Sequence, residues 1–593
     1  MASTSNFEAK VLMSKGKRAT AAYVHADCAA ERNPKHLKEV LDNLLNPIKP
    51  IDNWETIDWC KWLMAGGRTP DEFASTVHAY DNATTCGLVW TPNFVAYRCR
   101  TCGISPCMSL CTDCFKKGNH HRHDFNMFLS QAGGACDCGD TSVMKATGFC
   151  DRHGPDKTSG KGNAPNDLMC VAEAMMPRII FRLIQHLREY SAHMGFNLAI
   201  QDSDAFITML LDFNNMGGLM RRVMTSALTN PTKYRLLNEV PDNMDSEYAQ
   251  YLAESKRFYE RGLESLPNPE QEIGEDLKDC PSLQRNLVHR TFLEELVFWT
   301  VKFEFPQKVV CLLLNMLPDP DYKEALTRAF VLHYSRISIM LENSADPDTL
   351  SNRVVHVSVQ LFSNESLALR MTEQLNLLHV MVVSLKSMMS KILIRSTLHY
   401  PEQNTHSVVD CAKPVMKDHC YWPLVSDLNN VLSHRPVALK FMADDSLLEM
   451  WFSFLSMFQG MNVNQRELNQ HIEFEPNTYY AAFSAELEAS AYPMWALVTH
   501  LTDSGTAQLT RRVLSACLKE WYEWLESTNY KGPIVEDSMQ VSFHLPLHRY
   551  LAVFLCQGVA KQGIRIEEIL PSNDTMLTLL IMHPLRVQVS KCF

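Results

Sequence analysis

Residues 86–153 read CGLVWTPNFVAYRCRTCGISPCMSLCTDCFKKGNHHRHDFNMFLSQAGGACDCGDTSVMKATGFCDRH. Nine of the chain's 19 cysteines fall in this stretch, together with His120, His121, His123 and His153, while the others are scattered singly over 593 residues. Such a density of sulfur and imidazole side chains marks a metal site, and zinc is the metal that takes this donor set. Cys99-x2-Cys102 and Cys111-x2-Cys114 are two knuckle pairs, each able to present two thiolates to one tetrahedral ion at about 2.3 Å. His120-x2-His123 follows, Cys136-x-Cys138 forms a tighter pair, and Cys150-x2-His153 closes the series. Gly133, Gly134, Gly139 and Gly148 stand beside these positions, where a backbone wrapping an ion is expected to need positive φ.

Cys86, Cys99, Cys102, Cys111, Cys114, Cys136, Cys138 and Cys150 with His120, His123 and His153 make eleven candidate ligands. Three closed tetrahedral sites need about twelve. Either Cys107 is the twelfth, or one thiolate bridges two ions. By position alone Cys107, midway between knuckles, and His121, between two well-spaced histidines, read as bystanders.

Outward from this stretch, the chain is long enough for several domains or a helical repeat array, and its 46% hydrophobic and 21% charged content is that of a folded globular protein. A net charge of −11 argues against a surface built to attract phosphate backbones, and the cysteine-rich stretch lacks a recognition-helix pattern, so no nucleic-acid partner is expected. The N-terminus has no secretory signal, and the most apolar run, Leu375 to Val383, is too short to span a bilayer. The thiols are therefore expected in a reducing cytoplasmic or nuclear setting, where clustered cysteines bind metal rather than pair as disulfides.

Elsewhere the apolar spacing is helical. Leu37, Val40, Leu41, Leu44 and Leu45 share one face, and a second helix from near Asp52 should end before Gly66-Gly67. The stretch 154–167 reads as a linker, and the next helix should kink or break at Pro177. Further helices are expected from Asp204 to Phe213 and from about Leu219, followed by a polar divide over 265–281. Beyond it Leu293, Leu296, Val297, Thr300 and Val301 form one face, and Leu375, Leu378, Met381, Val382 and Leu385 another. Val357 to Leu361, strand-like in composition, is read as helix because its neighbours are helical.

Breaks at Leu317-Pro318, Asn343, Asn364 and Asn429 without a fixed period indicate an irregular, armadillo-like helical scaffold, with Trp451, Phe452, Phe454, Met457 and Phe458 in its core. The fold class is thus mainly α, with a small zinc-stapled domain inserted. The expected domains are an N-terminal helical region (1–83), the zinc-binding domain (84–155), a linker and first helical region (156–282) and the helical scaffold (283–593). His544 and His548, in FHLPLHRYL at 543–551, read as structural.

The order C-x12-C-x2-C-x8-C-x2-C-x5-H-x2-H-x12-C-x-C-x11-C-x2-H resembles the UBR box, the zinc-binding substrate-recognition domain of the N-degron E3 ubiquitin ligases. The wording VAYRCRTCGISPCMSLC and SQAGGACDCGD is most like the family's type 3 branch, and FHLPLHRYL resembles a segment downstream in family ligases. The resemblance implies three structural zinc ions. Cys99, Cys102, His120 and His123 would hold one; Cys86, Cys111, Cys114 and Cys136 a second; Cys114, Cys138, Cys150 and His153 a third. Cys114 would then be the bridge and Cys107 would be free.

It further implies capture of protein substrates by their free N-termini, with Asp137 and Asp140 matching two of the acidic residues that receive an α-ammonium and a basic first side chain. The other reading of these two aspartates is that they bond backbone amides of a metal loop. The third acidic position of the family falls on Ser105, which accepts a hydrogen bond but carries no charge. An E3 of this RING type needs a module that recruits the charged E2 enzyme, and after His153 no C-x2-C recurs. Ubiquitin transfer is therefore expected to depend on a module outside these residues. The alternative is a zinc-stabilised adaptor that binds proteins without reading N-degrons.

Overall fold

The computed structural model describes residues 2–31, 34–90, 94–105, 108–130, 134–158, 162–191, 196–269, 273, 280–396, 406–409, 413–459, 476–528 and 546–569. Its helices and zinc-finger insertion fall into two compact units, residues 1–266 with 286–330 and residues 267–285 with 331–593.

In the first unit, local chemistry sets the helix ends. Asn53 caps Trp54–Ala65 by accepting from the Thr56 N–H at 2.9 Å, and Gly66 closes it at φ 62°. Thr69 and Glu72 form a reciprocal capping box at the start of Pro70–Ala79. The helix Cys170–Ser191 is the spine, packed by Lys17–Ala30, Gly218–Thr229, Glu247–Glu264 and Phe292–Lys302. It runs through Pro177 without breaking, because burial of Met175, Met176, Ile179, Ile180 and the residues after them holds both halves against their neighbours. Helices over Asp204–Asn214 and Gly218–Thr229 follow the apolar spacing closely.

Burial is more complete than periodicity indicates. Phe292–Lys302 buries Phe298, Trp299 and Glu295 as well as the expected face. Glu295 is admitted because its carboxylate is fully satisfied. Oε1 accepts from Arg188 Nε at 2.6 Å and Trp299 Nε1 at 3.0 Å, and Oε2 from Arg188 Nη2 at 2.7 Å and the Tyr234 hydroxyl at 2.6 Å.

The insertion, residues 86–153, is a three-stranded antiparallel sheet in the order β2-β1-β3, formed by β1 (Phe94–Cys99), β2 (Leu110–Cys111) and β3 (Phe125–Ser130). Its connections to the helices of the same unit are specific. Just upstream of it, Asp81 Oδ1 accepts from the Gly218 N–H at 2.9 Å, at the start of the helix Gly218–Thr229. Gly87 lies so close to the Leu317-Pro318 corner that a Cβ on it would stand 2.1 Å from Pro318 Cγ.

The second unit is a stack of helices. Pro347–Phe362 packs on Trp422–Ser433, which packs on Pro476–Thr499; Asp445–Ser456 packs on Ala507–Thr528, which packs on Pro546–Gln562. Val357 to Leu361 are helical. Two expectations are corrected. Leu375 does not share a helix with Leu378, because Asn376 turns left-handed at φ 52° and separates Glu365–Leu375 from Leu377–Ser390. Asn429 lies inside Trp422–Ser433, where packing of Leu424, Val425, Leu428 and Leu432 outweighs asparagine's turn preference. Trp451, Phe452, Phe454 and Phe458 are core residues as expected, with Met457 only half-buried.

His548 is buried in Pro546–Gln562, whereas His544 and most of the 265–281 divide lie outside the described residues. A hairpin of Leu393–Ser396 with His406–Val409 was not expected from sequence. Among the described residues no helix is long and apolar enough to cross a membrane.

Two outcomes follow from the buried carboxylates. Glu295→Ala leaves the Arg188 guanidinium buried and unpaired, which should lower stability by about 3–5 kcal/mol in urea denaturation. A loss below about 1 kcal/mol would contradict that. In the second unit burial raises Asp427 to about 7, although the Ser358 and Tyr334 hydroxyls donate to it. The unfolded chain ionises this group near about pH 4. The folded state therefore holds the proton between these values and loses stability as pH rises through them, and Asp427→Asn should flatten that part of the stability profile.

Candidate metal centre and recognition loops

The sheet, one short helix and the loops around them bring all eleven sequence candidates together. Three groups form: Cys99, Cys102, His120 and His123; Cys86, Cys111, Cys114 and Cys136; and Cys114, Cys138, Cys150 and His153. Within each group the ligand atoms lie within 4.8 Å of one another, and Cys114 belongs to two groups. Cys107 lies outside the described residues, and the exposed His121 is in none of the groups.

Each element has a definite part in this. β1 ends on Cys99 and β2 on Cys111, so the antiparallel pairing of Ala96 with Cys111 brings the two knuckles side by side. Cys111 then caps the helix Thr112–Lys117, its Sγ accepting from the Cys114 N–H at 3.3 Å. The Cys136 sulfur accepts from the Cys111 N–H at 3.2 Å and the Cys138 sulfur from the Cys150 N–H at 3.3 Å. Backbone amides aimed at sulfur in this way stabilise thiolate character.

The donor geometry fits a tetrahedral ion. With metal–sulfur and metal–nitrogen bonds of about 2.3 and 2.0–2.1 Å, tetrahedral angles place S and N about 3.6 Å apart. Cys99 Sγ lies 3.6 Å from His123 Nδ1, Cys102 Sγ 3.7 Å from His120 Nδ1 and Cys114 Sγ 3.4 Å from His153 Nδ1. In every histidine it is Nδ1 that faces the sulfurs. Burial, with His123 nearby, lowers the pKa of His120 and keeps its ring in the neutral form a metal requires. Phe115 stacks on that ring at 4.6 Å and on Tyr97 at 4.1 Å, which fixes its plane.

The glycines serve these loops in different ways. Gly139 alone of the described three has positive φ, at 99°, and a Cβ there would meet the Thr84 carbonyl at 2.0 Å. Gly148 is needed for space, since a Cβ would stand 2.5 Å from Cys102 Sγ. For Gly134 and Gly148 close approach, rather than conformation, is the constraint; Gly133 lies outside the described residues.

Ser105, Asp137 and Asp140 sit on two loops laced together. The Ile104 and Ser105 N–H groups both donate to the Val143 carbonyl, at 2.9 and 3.1 Å. Asp137 Oδ2 accepts from the Ser109 N–H at 2.8 Å while the Asp137 N–H donates to the Ser109 carbonyl at 2.9 Å. Asp140 Oδ1 accepts from the N–H and hydroxyl of Ser142, at 2.8 and 2.6 Å. Burial raises Asp137 to about 6, partly offset by the Ser109 bond. Lys323, from the helix Pro320–Leu332 of the same unit, is partly buried with its ammonium in the field of Asp140. Sequence reasoning could not have found this cation, which comes from a distant helix.

The same residues stand out against known proteins. The family profile of the zinc finger in N-recognin (UBR box) matches residues 85–153, and that of the UBR1/2/3-like ARM repeat domain matches residues 295–591. The E3 ubiquitin-protein ligase Ubr3 of Drosophila melanogaster is 56% identical over 589 residues, covering 98% of this chain and 26% of its own length. The human E3 ubiquitin-protein ligase UBR3 is 43% identical over 653 residues, covering 97% of this chain and 34% of its own length. Human UBR1 is 22% identical over 582 residues, covering 85% of this chain and 32% of its own. The chain thus spans about a quarter to a third of the length of these relatives. With a zinc-finger box and an ARM repeat domain that both match, the chain belongs to the UBR family of E3 ubiquitin-protein ligases.

Proposed function

We propose that residues 84–155 form the substrate-recognition box of an E3 ubiquitin-protein ligase, stapled by three structural zinc ions and carried on the helical scaffold of residues 283–593. The observation that carries the metal assignment is the convergence of eleven donors in three groups, two of which share Cys114. Cys99, Cys102, His120 and His123 hold one ion, Cys86, Cys111, Cys114 and Cys136 the second, and Cys114, Cys138, Cys150 and His153 the third. Each group supplies four donors, so no position is open for a catalytic water, and the metals' role is folding.

In this reading the box presents an acidic cleft to protein substrates. Asp137 Oδ1 and Asp140 Oδ2 face a free N-terminus by charge-assisted hydrogen bonds, and Ser105 adds a neutral acceptor. Bound proteins are then ubiquitinated through an E2-recruiting RING module outside these residues, in the cytosol or nucleus, and degraded through the N-degron pathway.

Three observations favour the adaptor reading for the recognition step. Asp137 is engaged in tying Ser109, Ser105 supplies no charge, and Lys323 already places a cation in the field of Asp140. On this second reading the box binds proteins without requiring a free α-ammonium.

Elemental analysis tests the metal scheme. About three zinc ions per chain are expected; Cys114→Ser should lose at least two of them and unfold the box, whereas Cys107→Ser should retain all three. Full zinc in Cys114→Ser, or loss in Cys107→Ser, would reject the shared thiolate. For recognition, a fluorescence titration compares peptides that differ only in a free or an acetylated N-terminus. The N-degron reading expects tighter binding of the free form and its loss in Asp140→Asn; equal binding of both forms leaves the adaptor.

A further inference from the structure

The outer edge of the box has a feature that neither metal binding nor N-terminus capture uses. β3 pairs with β1 in the register Phe94 to Ser130, Ala96 to Phe128 and Arg98 to Asn126, and the Arg100 N–H donates to the Asp124 carbonyl at 2.8 Å. That bond makes 100 and 124 a hydrogen-bonded pair, so Asn126, Phe128 and Ser130 also turn their backbone groups toward β1. Phe125, Met127 and Leu129 turn theirs the other way, to the free edge of the sheet. Among the described residues none of these three makes a backbone hydrogen bond on that side.

The same three residues are 45, 63 and 61% exposed, an unusual state for large apolar side chains in a row on one face. Phe125 anchors the row, its ring 4.8 Å from Phe115. An edge that combines unpaired backbone groups with exposed apolar side chains is the kind that proteins otherwise blunt with charge, proline or a covering loop.

Charge marks one end of this edge. Lys116 follows Phe115, and His121 and Arg122 lie in the turn leading into β3; all three are exposed. The carboxylates nearby are engaged, Asp113 with Lys117 and Arg152 and Asp124 with Arg100. No ion pair is made by Lys116 or Arg122 among the described residues.

We propose that β3 is a docking edge for an extended segment of a partner protein, which adds antiparallel to the sheet as a fourth strand. Its alternate apolar side chains pack against Phe125, Met127 and Leu129, and acidic residues at its C-terminal end meet Lys116 and Arg122. A second copy of this chain fits less well. Antiparallel pairing of two β3 strands would bring the uncharged Ser130 end, not a carboxylate, against those cations. The recognition needs no free α-ammonium, so it stands apart from the acidic cleft.

The probe is a fluorescein-labelled peptide, acetyl-TVTVTVEE-amide, whose blocked N-terminus takes the acidic cleft out of the readout. The 593-residue chain should bind it saturably, and more tightly than acetyl-TVTVTVKK-amide. Met127→Pro removes one outward N–H without touching the β1 ladder, and should weaken binding about tenfold. Met127→Glu, which keeps the N–H but puts a negative charge in the apolar row, should weaken it as well, with zinc content unchanged in both variants. The proposal is overturned by no saturable binding up to about 1 mM, by equal binding to both variants, or by equal binding of the two peptides. It is overturned equally if sedimentation shows a dimer that Met127→Pro dissolves while the peptide does not compete, which would assign the edge to a second copy.

Discussion

Three groups of sulfur and nitrogen donors, two of them joined at Cys114, hold the box, which has little else to keep it together. Its sheet is three strands of six, two and six residues, too small to bury a core of its own. The buried cluster consists largely of the cysteines themselves, with Trp90, Ala96, Met108, Leu110 and Met144. Structural metal in a domain this small supplies folding free energy on the order of 10 kcal/mol per ion, more than such a core could. Everything the box presents outward, both the acidic loops and the apolar edge of β3, therefore depends on the donors being satisfied.

The scaffold around it is stabilised by other means. In the first unit the spine helix Cys170–Ser191 gathers its neighbours by apolar burial, and one bidentate pair, Arg188 with Glu295, is buried at its C-terminal turn. In the second unit the helices stack, the main partners of each lying some tens of residues further along the chain, as in armadillo-like arrays. Gly87 against Pro318 couples the metal-held insertion to the helices of the first unit, and Asp81, just upstream of it, holds the Gly218 amide. Zinc loss would thus free the loops that these contacts position.

The cluster of candidate donors was legible because each knuckle is local: two donors a fixed few residues apart announce themselves without tertiary information. Helices were legible where apolar spacing and a strong cap agreed, as at Asn53 and Gly66. Where packing competed with local preference, packing prevailed, and Pro177 and Asn429 both lie inside helices. Asn376 shows the opposite case, a left-handed residue ending one helix and opening the next within a run that reads as continuous. What could not be read was anything formed by residues distant in sequence. The field of Asp140 at Lys323 links residues far apart in the sequence, and the outward backbone of Phe125, Met127 and Leu129 needs the strand register.

The shared thiolate is the central claim, and zinc-edge X-ray absorption on the purified chain addresses it without any substitution. The ligand sets give an average of three sulfurs and one nitrogen per zinc, at about 2.3 and 2.0–2.1 Å. That average, with four-coordinate zinc and no oxygen ligand, is the expected spectrum. A nitrogen-rich or oxygen-containing shell, or five-coordinate zinc, would contradict three closed sites of which two are joined through Cys114.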